Sequence, residues 1–425
     1  ESSVGVGSEP VEVPSDLAKP VKRKRRVLRI AVALVIGGVA IALAQSLAPG
    51  SDHQIANIQS AVAGSLALAY VVYQLQRIAK QRGSRYLVPV SMIAVIALLC
   101  ALFRFDGFSG EMFPQFKFRF ASNPPEMRSL EEAVKPSQET VSPSPASKAL
   151  VDSLGFLGNH RTGVMNERLF AVPASESDVE LLWNQGIGAG WSSFAVVDDR
   201  AITLEQRDAM ECLTCYRLND GRLEWLVEHE AIHQNPLGGI GPRSTPTIEG
   251  DLVYAQGATG TLWCVNWKTG ETEWSVDLLE MAGWDQLASE AAISWGRAGS
   301  PLLVDGLCII PFGGPKSNEA TGRSLIAFDA LSGQTRWVVG QDQISYASPG
   351  LMTLAGTRQI VSVNEQSITG HRVEDGTVLW EFEWFGQSNG GANCAMVVPA
   401  GEDWFLIGKG YGGGSALVEI SSGED

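Results

Sequence analysis

Two hydrophobic patterns divide the chain near residue 150. Before it, three apolar stretches lie at about residues 27–48, 55–75 and 86–103, and each is as long as a helix that crosses a bilayer. After it, short segments alternate apolar and polar residues and end at glycines, which is the pattern of β-strands and their turns. The pattern predicts three transmembrane helices within residues 27–104, followed by an all-β domain over residues 151–425.

The middle apolar stretch is more polar than the other two. It contains Asn57, Gln59, Ser60 and Ser65, whereas residues 86–103 hold no charge before Phe103. We expect the middle stretch to span the membrane as well, and the alternative is an interfacial helix or a buried core helix. The choice decides on which side of the membrane the rest of the chain lies.

Basic residues around the apolar stretches predict the orientation. A tail over residues 1–26 ends in the basic run Lys22–Arg26, and the connection 49–54 has no Lys or Arg. The next connection carries four basic residues, Arg77, Lys80, Arg82 and Arg85. Because basic loops stay in the cytoplasm, three spans place the tail inside and the all-β domain on the periplasmic side of a bacterial-type inner membrane. Two spans would leave that domain in the cytoplasm.

An aromatic segment and a linker occupy residues 105–150. Phenylalanines cluster just past the third stretch and suit a belt at the membrane surface. Lys117 and Arg119 alternate with them, as in a short strand or an interfacial segment. The cluster comprises Phe103, Phe105, Phe108, Phe113, Phe116, Phe118 and Phe120. Residues 122–147 are rich in Pro, Ser and Glu, which is typical of an extended, disordered linker.

A glycine followed four residues later by a tryptophan recurs through the all-β part. The pairs are Gly221 with Trp225, Gly270 with Trp274, Gly333 with Trp337, and Gly376 with Trp380. The glycines are 49, 63 and 43 residues apart, and a fifth copy begins at Gly423, just before the last residue, Asp425. A repeat of about 40–50 residues indicates an array of similar structural units.

The second copy shows the composition of one unit. Four short alternating segments, at 244–248, 251–256, 261–266 and 271–276, are separated by glycine turns. Four strands per repeat predict a β-propeller of antiparallel four-stranded blades, with four complete blades and a partial fifth in this chain. We expect the tryptophan on each outermost strand to fill the gap between blades and to donate its indole N–H to a backbone carbonyl.

The repeat resembles that of the pyrroloquinoline-quinone (PQQ) type β-propellers. The segments Asn266–Trp274 and Asp329–Trp337 match an Asp/Asn-x-x-Thr/Ser/Asp-Gly-x-x-x-Trp pattern, and looser copies end at Trp225 and Trp380. Residues 156–163 are similar to the entry segment of many such propellers. The resemblance implies this fold for residues 155–425. The family includes PQQ-dependent alcohol dehydrogenases, polyvinyl-alcohol dehydrogenase-like proteins and the non-catalytic propeller of the outer-membrane assembly machinery.

Residues Glu180–Trp183 look like an isolated fourth strand that carries its own tryptophan. In a closed ring such a strand completes the last blade. Because the chain begins at Glu1 rather than at Met and ends within the fifth copy, we expect it to be a fragment. A ring of the family's larger sizes would need about two to four further blades.

Two short motifs match chemical signatures. His229–His233 has the His-Glu-x-x-His form of zinc proteases, but it follows a predicted strand and precedes Pro236, which leaves no room for the helix that the signature requires. We therefore expect two loop histidines. Cys212 and Cys215 form a Cys-x-x-Cys on a predicted strand, where residues three apart point to opposite faces. Cys264, Cys308 and Cys394 also lie in apolar strands, so we expect buried free thiols.

Each blade's first strand is predicted to start with a small polar cluster, and as the innermost strand it would line the central channel. The candidate cofactor-binding residues are Trp191, Arg243, Ser244, Arg297, Ser300, Ser348 and Asn393. The two arginines suit an anionic ligand such as the PQQ carboxylates. The alternative is that Ser and Pro only end strands and that the arginines pair with nearby acids. The glycine-rich segment 408–414 lacks the ending of a phosphate loop and fits a wide hairpin.

The charge is unevenly distributed. The chain carries −15 overall, with a net +6 on residues 1–150 and a net −21 on residues 151–425. So acidic a domain is a poor candidate for nucleic-acid binding. Six cysteines in 425 residues exclude a small disulfide scaffold.

These patterns favour a non-catalytic binding module. We expect a propeller that is anchored in the lipid bilayer and binds envelope proteins or ligands. The alternative that the resemblance implies is a quinoprotein dehydrogenase of the polyvinyl-alcohol or glucose/alcohol type, with PQQ and Ca²⁺ as cofactors. The adjacent Cys-Cys pair that PQQ alcohol dehydrogenases typically carry is not in this sequence. The residues themselves establish neither a cofactor nor a catalytic group. A sensor ectodomain is a third hypothesis.

Overall fold

The computed structural model describes residues 18–46, 54–108, 113–120, 152–164, 179–235, 238–313, 323–387, 391–410 and 413–421. The chain divides into two compact units, Glu1–Ser122 and Asn123–Asp425. The predicted linker at 122–147 and the fifth glycine copy at Gly423 lie outside the described residues.

Three helices form most of the first unit. They are α1 (Ala18–Ser46), α2 (Gln54–Gln81) and α3 (Leu87–Leu102). Helix α1 begins nine residues before the predicted span, because the basic run continues the helix. Helices α1 and α2 are long and apolar enough to cross a membrane, and α3 is a shorter apolar helix.

The polar residues of α2 have a partner on α1. The Gln45 side-chain amide donates to Asn57 Oδ1 at 2.8 Å and to Ser60 Oγ at 3.1 Å. Further along the pair, a methyl group added at Gly37 would lie 2.9 Å from the Ala67 side chain, so the two helices are close there. Two of the polar side chains that set the middle stretch apart are therefore used in packing against α1.

A two-stranded antiparallel ribbon follows α3. Strand β1 (Phe103–Phe108) pairs with β2 (Pro114–Phe118), and Phe103 lies opposite Phe118 while Phe105 lies opposite Phe116. The register shifts between Phe105 and Gly107. The alternation of phenylalanines and basic residues thus forms a hairpin.

The described residues of the second unit form four four-stranded antiparallel sheets, one three-stranded sheet and one two-stranded ribbon. Sheet 1 comprises β3 (Ala195–Val197), β4 (Arg200–Arg207), β5 (Met210–Arg217) and β6 (Leu223–Glu230), and a small ribbon of β7 (Gln234–Asn235) and β8 (Gly239–Ile240) follows it. Sheet 2 comprises β9 (Thr247–Glu249), β10 (Leu252–Gln256), β11 (Thr261–Asn266) and β12 (Thr272–Asp277), and two short helices, α4 (Leu278–Ala282) and α5 (Gln286–Ala292), follow it.

The remaining sheets continue in chain order. Sheet 3 comprises β13 (Leu302–Val304), β14 (Leu307–Pro311), β15 (Leu325–Asp329) and β16 (Thr335–Val339). Sheet 4 comprises β17 (Gly350–Leu354), β18 (Thr357–Val363), β19 (Ser367–Arg372) and β20 (Val378–Glu383). Sheet 5 comprises β21 (Val398–Pro399), β22 (Trp404–Lys409) and β23 (Gly414–Glu419). The predicted strands of the second copy agree with sheet 2 to within one residue, except that β9 starts three residues later.

Each pair of consecutive sheets shares one hydrophobic core. Leu213 of sheet 1 packs in the same cluster as Val253 of sheet 2, and Phe328 of sheet 3 packs with Leu262 of sheet 2. Two further clusters join sheet 3 to sheet 4 and sheet 4 to sheet 5. Because each fully buried Leu, Val or Phe side chain contributes about 1.5–3 kcal/mol, most of the apolar stabilisation lies between sheets.

Candidate functional site

The repeat tryptophans form junctions between consecutive sheets. Trp225 Nε1 donates to the Trp267 carbonyl at 2.8 Å, and Trp274 Nε1 donates to the Ala330 carbonyl at 2.9 Å. Each acceptor lies three residues before the glycine of the following copy. The indole of Trp274 also covers Gly333, where an added methyl group would lie 2.7 Å from the ring. Each tryptophan thus contacts the turn of the next repeat.

Trp183 makes the same contact without belonging to a strand. Its Nε1 donates to the Leu218 carbonyl at 2.6 Å, and its ring lies over Gly221. The fourth strand expected at Glu180–Trp183 is not formed, and residues 179–187 carry no strand assignment. The tryptophan junction therefore does not require a strand around it.

The last two tryptophans depart from this pattern. The ring of Trp337 covers Gly376, but its Nε1 has no hydrogen-bond partner among the described residues. Trp380 Nε1 instead donates to Gln359 Oε1 of its own sheet at 2.6 Å. The glycine that would follow Trp380 in the repeat pattern, Gly423, lies outside the described residues.

A series of hydroxyl groups links the segments that precede the first strands. The Ser193 N–H donates to Thr245 Oγ1 at 3.3 Å, the Thr245 N–H to Ser300 Oγ at 2.9 Å, and the Ser300 N–H to Ser348 Oγ at 2.9 Å. These residues occupy equivalent positions in sheets 1 to 4. We call this series the hydroxyl ladder. In the fifth copy the residue two positions before the first strand is Met396, which has no hydroxyl group.

Other candidate cofactor-binding residues also bond to backbone groups. Trp191 Nε1 donates to the Gly238 carbonyl at 2.7 Å, and Arg243 donates to the Gly238 and Gly241 carbonyls at 2.5 and 2.9 Å. The Asn393 amide donates to three carbonyls at 2.9–3.1 Å, those of Asn364, Glu365 and Trp384. The structure brings Trp191 and Arg243 together at one carbonyl.

Arg297 is buried without a carboxylate at hydrogen-bond distance among the described residues. Its Nη1 donates to the Phe312 carbonyl, and its guanidinium carbon lies 5.8 Å from the centre of the Trp284 ring. Burial lowers the pKa of Arg297 to about 10. Its Nη2, like Ser244 Oγ and Asn393 Oδ1, is buried with no described hydrogen-bond partner.

A cavity of about 580 Å³ lies elsewhere, between the entry segment and the first strands of sheets 2 to 5. The entry segment, residues 152–164, contributes one wall that includes Asn159, His160 and Thr162, and the strand wall is mainly apolar. The strand wall includes Leu302, Leu303, Leu351, Met352, Met396 and Val397. None of the seven candidate cofactor-binding residues lines this cavity. It combines polar and apolar walls, as ligand pockets commonly do.

Arg161 holds the entry segment against sheet 3. Its Nη1 and Nη2 donate to the carbonyls of Pro301 and Ser300 at 2.6 and 2.9 Å. Burial lowers the pKa of Arg161 to about 10. The Ile248 N–H donates to the Leu154 carbonyl at 2.7 Å, which joins the same segment to sheet 2. The entry segment thus bridges several repeats.

Glu211 is a buried carboxyl group that no motif in the sequence singles out. Its Oε1 accepts from the Ala258 N–H at 2.7 Å, and Thr259 Oγ1 lies 3.4 Å from its Oε2. Burial raises the pKa of Glu211 to about 7, while these two hydrogen bonds act in the opposite direction. The carboxyl group therefore joins sheet 1 to the β10–β11 turn of sheet 2.

The cysteine and histidine motifs have the geometry of strands and loops. Cys212 and Cys215 lie in β5 with buried, free thiols, and burial raises the pKa of each to about 12. His229 lies in β6, and His233 follows three residues after the end of that strand. The Nδ1 of the buried His233 is 3.9 Å from Glu290 Oε1. The two histidines do not share a helix.

The repeated sheets and their junctions agree with a known sequence family. The family model described as outer membrane protein assembly factor BamB matches residues 174–314 and 291–402, which together make more than half of the chain. The chain belongs to this family of PQQ-like repeat proteins. The match begins before sheet 1 and ends after β21, so it includes Trp183 and the four tryptophans of the glycine–tryptophan pairs. No curated protein sequence matches the chain significantly.

Two solved structures are similar to parts of this PQQ-like repeat chain. BamB from Moraxella catarrhalis has 17% identity and a TM-score of 0.37 over 57% of this chain and 67% of its own. Quinohemoprotein alcohol dehydrogenase from Comamonas testosteroni has 14% identity and a TM-score of 0.43 over 61% of this chain and 46% of its own. The chain thus spans less than half of the dehydrogenase.

Proposed function

We propose that this chain is a membrane-anchored β-propeller of PQQ-like repeats that binds envelope proteins or a ligand without catalysis. The observation that carries the proposal is the use of the polar groups at the starts of the first strands. The hydroxyls of Thr245, Ser300 and Ser348 accept from the backbone of a neighbouring repeat, and Arg243 donates to two carbonyls. The hydroxyls join neighbouring repeats, and Arg243 is bound within the segment before β9, so these groups already have partners in the fold.

The propeller arrangement is supported by the cavity and the junctions. The first strands of four sheets border one cavity, which is the relation expected of innermost strands around a common axis. The junctions made by Trp225 and Trp274 repeat with the same geometry. A cavity with polar and apolar walls at that axis is suited to a ligand or to a peptide segment from a partner.

The proposed location on the periplasmic side is supported by the apolar helices and the basic loops, with α3 taken to span in addition to α1 and α2. An exposed cysteine introduced at position 332 (S332C) tests on which side of the membrane the repeats lie. We expect a membrane-impermeant maleimide to label S332C in intact spheroplasts, in a background with C100S and C394S. Labelling only after lysis would mean that the repeats lie in the cytoplasm.

A PQQ- and Ca²⁺-dependent dehydrogenase is the second candidate. It is favoured by three buried polar atoms without described partners, Ser244 Oγ, Arg297 Nη2 and Asn393 Oδ1. The fit to the cofactors is otherwise poor, because the remaining candidates are bonded to backbone. Within the described ranges, no group of three or more His, Cys, Asp or Glu side chains is placed to hold a metal.

Equilibrium binding separates the two candidates. The full chain in detergent is titrated with PQQ, with and without Ca²⁺, beside a dye-reduction assay on alcohols and sugars. We expect neither binding at high micromolar PQQ nor dye reduction. Tight Ca²⁺-dependent binding that R297Q abolishes and R336Q leaves intact would overturn the non-catalytic proposal. R336Q is the control, because Arg336 is an exposed arginine outside the candidate set.

A further inference from the structure

The ribbon after α3 carries its aromatic side chains on one face. We call residues Phe103–Phe108 and 113–120 the phenylalanine ribbon. Ring pairs contact edge to face across and along the strands, at centroid distances of 5.7 Å for Phe103 with Phe118 and 5.9 Å for Phe105 with Phe116. Phe108 and Phe120 extend the row by contacts of 5.2 and 5.6 Å with Phe105 and Phe118. The six rings form one continuous aromatic face.

This aromatic face is not covered by other described residues. Phe116 is 60% exposed and Phe120 is 73% exposed, and the other four rings are at least one third exposed. Soluble domains rarely expose so continuous an apolar patch unless it contacts a partner or a membrane.

Basic residues alternate with the aromatic ones. Arg104 lies directly opposite Lys117 in the register, and Arg119 lies two residues further along on the same side of the alternation. Arg119 also fastens the ribbon to the end of α3, because its Nε donates to the Cys100 carbonyl at 2.9 Å and its N–H to the Leu102 carbonyl at 2.7 Å. The ribbon is therefore a fixed continuation of α3.

We propose that the phenylalanine ribbon inserts its aromatic face into the lipid at the headgroup–acyl boundary, with its cations at lipid phosphates. The inference rests on the proposed function, in that α3 is taken to span the membrane. The 16 residues of α3 extend over about 24 Å, which is less than the roughly 30 Å of a bilayer core. The aromatic face extends the apolar surface of α3 by the missing length.

The backbone of the ribbon fixes its depth at the interface. A two-stranded ribbon has two outer edges with unpaired N–H and C=O groups, which cannot be buried in hydrocarbon without a large cost. Phenylalanine and leucine faces opposed by Lys and Arg are typical of elements that lie in the interface plane. Anionic lipids supply the charge that complements Arg104, Lys117 and Arg119.

Neighbouring residues on opposite faces provide a matched test. Single cysteines at Phe116 (F116C) and Gln115 (Q115C) are labelled with the fluorophore NBD in a C100S/C394S background. The full chain is reconstituted in vesicles of phosphatidylethanolamine and phosphatidylglycerol. The thiols that remain are buried, and burial raises the pKa of Cys212, Cys215 and Cys264 to about 12, so they stay unreactive during labelling.

We expect the probe at 116 to emit at a shorter wavelength than the probe at 115. Shallow nitroxide lipids should quench the fluorescence of the probe at 116 at least about twofold more strongly than that of the probe at 115. The probe at 115 should be the more strongly quenched by aqueous iodide. Equal quenching at both positions, in chains that float with the vesicles, would overturn the ribbon proposal alone. A probe at 116 that is shielded from both quenchers would mean that protein covers the face, which also overturns it. Chains that do not float would overturn the membrane anchor itself.

Discussion

The glycine of each repeat meets two constraints at one residue. Gly333 has φ +68°, a conformation that L side chains rarely adopt, and its α-carbon faces the Trp274 ring. The same two conditions hold at Gly221, Gly270 and Gly376. A side chain there would be strained by its own backbone and would also displace the indole of the preceding sheet.

Two glycine variants separate these constraints. Gly306 has φ +75° but no atom within 4 Å of an added methyl group. Gly306→Ala should therefore cost only the left-handed conformation, about 1–2 kcal/mol. Gly333→Ala should cost roughly 3 kcal/mol or more, because the indole must also move. Urea unfolding midpoints of the full chain in detergent measure the difference, and equal losses would show that the tryptophan contact is unimportant.

Glu211 makes the stability of the chain depend on pH. Its pKa is raised to about 7 in the folded state, so the folded chain binds a proton more tightly than the unfolded chain. The contribution of protonated Glu211 to the free energy of unfolding is fully present below the ordinary pKa of a glutamate and is lost as the pH rises through 7. The loss between pH 4 and pH 8 is about 3 kcal/mol.

Glu211→Gln should remove this part of the pH dependence, because the amide oxygen can still accept from the Ala258 N–H but cannot ionise. Thermal melts at pH 5 and pH 8 measure the effect. Glu402→Gln is a suitable control, since Glu402 lies in an exposed turn. A Glu211→Gln chain whose melting temperature still falls as much as that of the unchanged chain would contradict the assignment.

Only part of these residue roles can be predicted from the sequence. The spacing of glycine and tryptophan predicts the repeat, and alternation predicts the strand that places Cys212 and Cys215 on opposite faces. The carbonyls that accept from Trp225 and Trp274 are not visible in the spacing, because they belong to the next copy. The partners of Glu211 and Ser300 lie 47 and 55 residues away, and only the folded chain brings them together.

At the scale of elements, the hydroxyl ladder gives the polar clusters before the first strands a structural role. Ser300 and Ser348 were expected to line a channel for a cofactor, and their hydroxyls accept from buried backbone N–H groups of the preceding repeat. The chain before the first strands of sheets 1, 2 and 3 is thereby bonded to the segment that precedes the following sheet. This explains why β9 starts three residues later than the alternation predicts.

Ser300→Ala should leave the Thr245 N–H buried without an acceptor. The expected loss is about 1–3 kcal/mol of unfolding free energy. Ser332→Ala, which removes an exposed turn hydroxyl bonded to Asp329, should cost less than about 0.5 kcal/mol. Chemical denaturation of both variants gives the comparison, and similar losses would refute a special role for the ladder.

At the scale of the molecule, each repeat makes its main stabilising contacts with the neighbouring repeats rather than within its own sheet. Each core cluster and each tryptophan junction joins one sheet to the next, so coupling should be strongest between adjacent sheets. The helices carry a second, separate pattern, in which charge and hydropathy alone predict the spans. The ends of α1 and α2 could not be predicted as well, because the helices continue into polar flanks.

Hydrogen exchange of Trp274→Ala tests this nearest-neighbour coupling. Protection should fall in sheets 2 and 3, which the indole joins, and should change little in sheet 5. Leu331→Ala alters an exposed side chain in the same turn and should leave protection intact in both sheets. A uniform loss across all five sheets after Trp274→Ala would mean that the repeats open as one cooperative unit.

The tryptophan junction has a consequence for how such chains gain repeats by gene duplication. The two halves of every junction lie in different copies, so a segment cut from one glycine to just before the next carries a tryptophan for its successor and a glycine for its predecessor. If a gene duplicated that segment once, the new copy would meet a complementary neighbour on each side. Duplication of a whole segment therefore preserves every contact of this kind. The 63 residues between Gly270 and Gly333, against 49 and 43 for the other pairs, show that a segment can also lengthen between its tryptophan and the next glycine without breaking a junction.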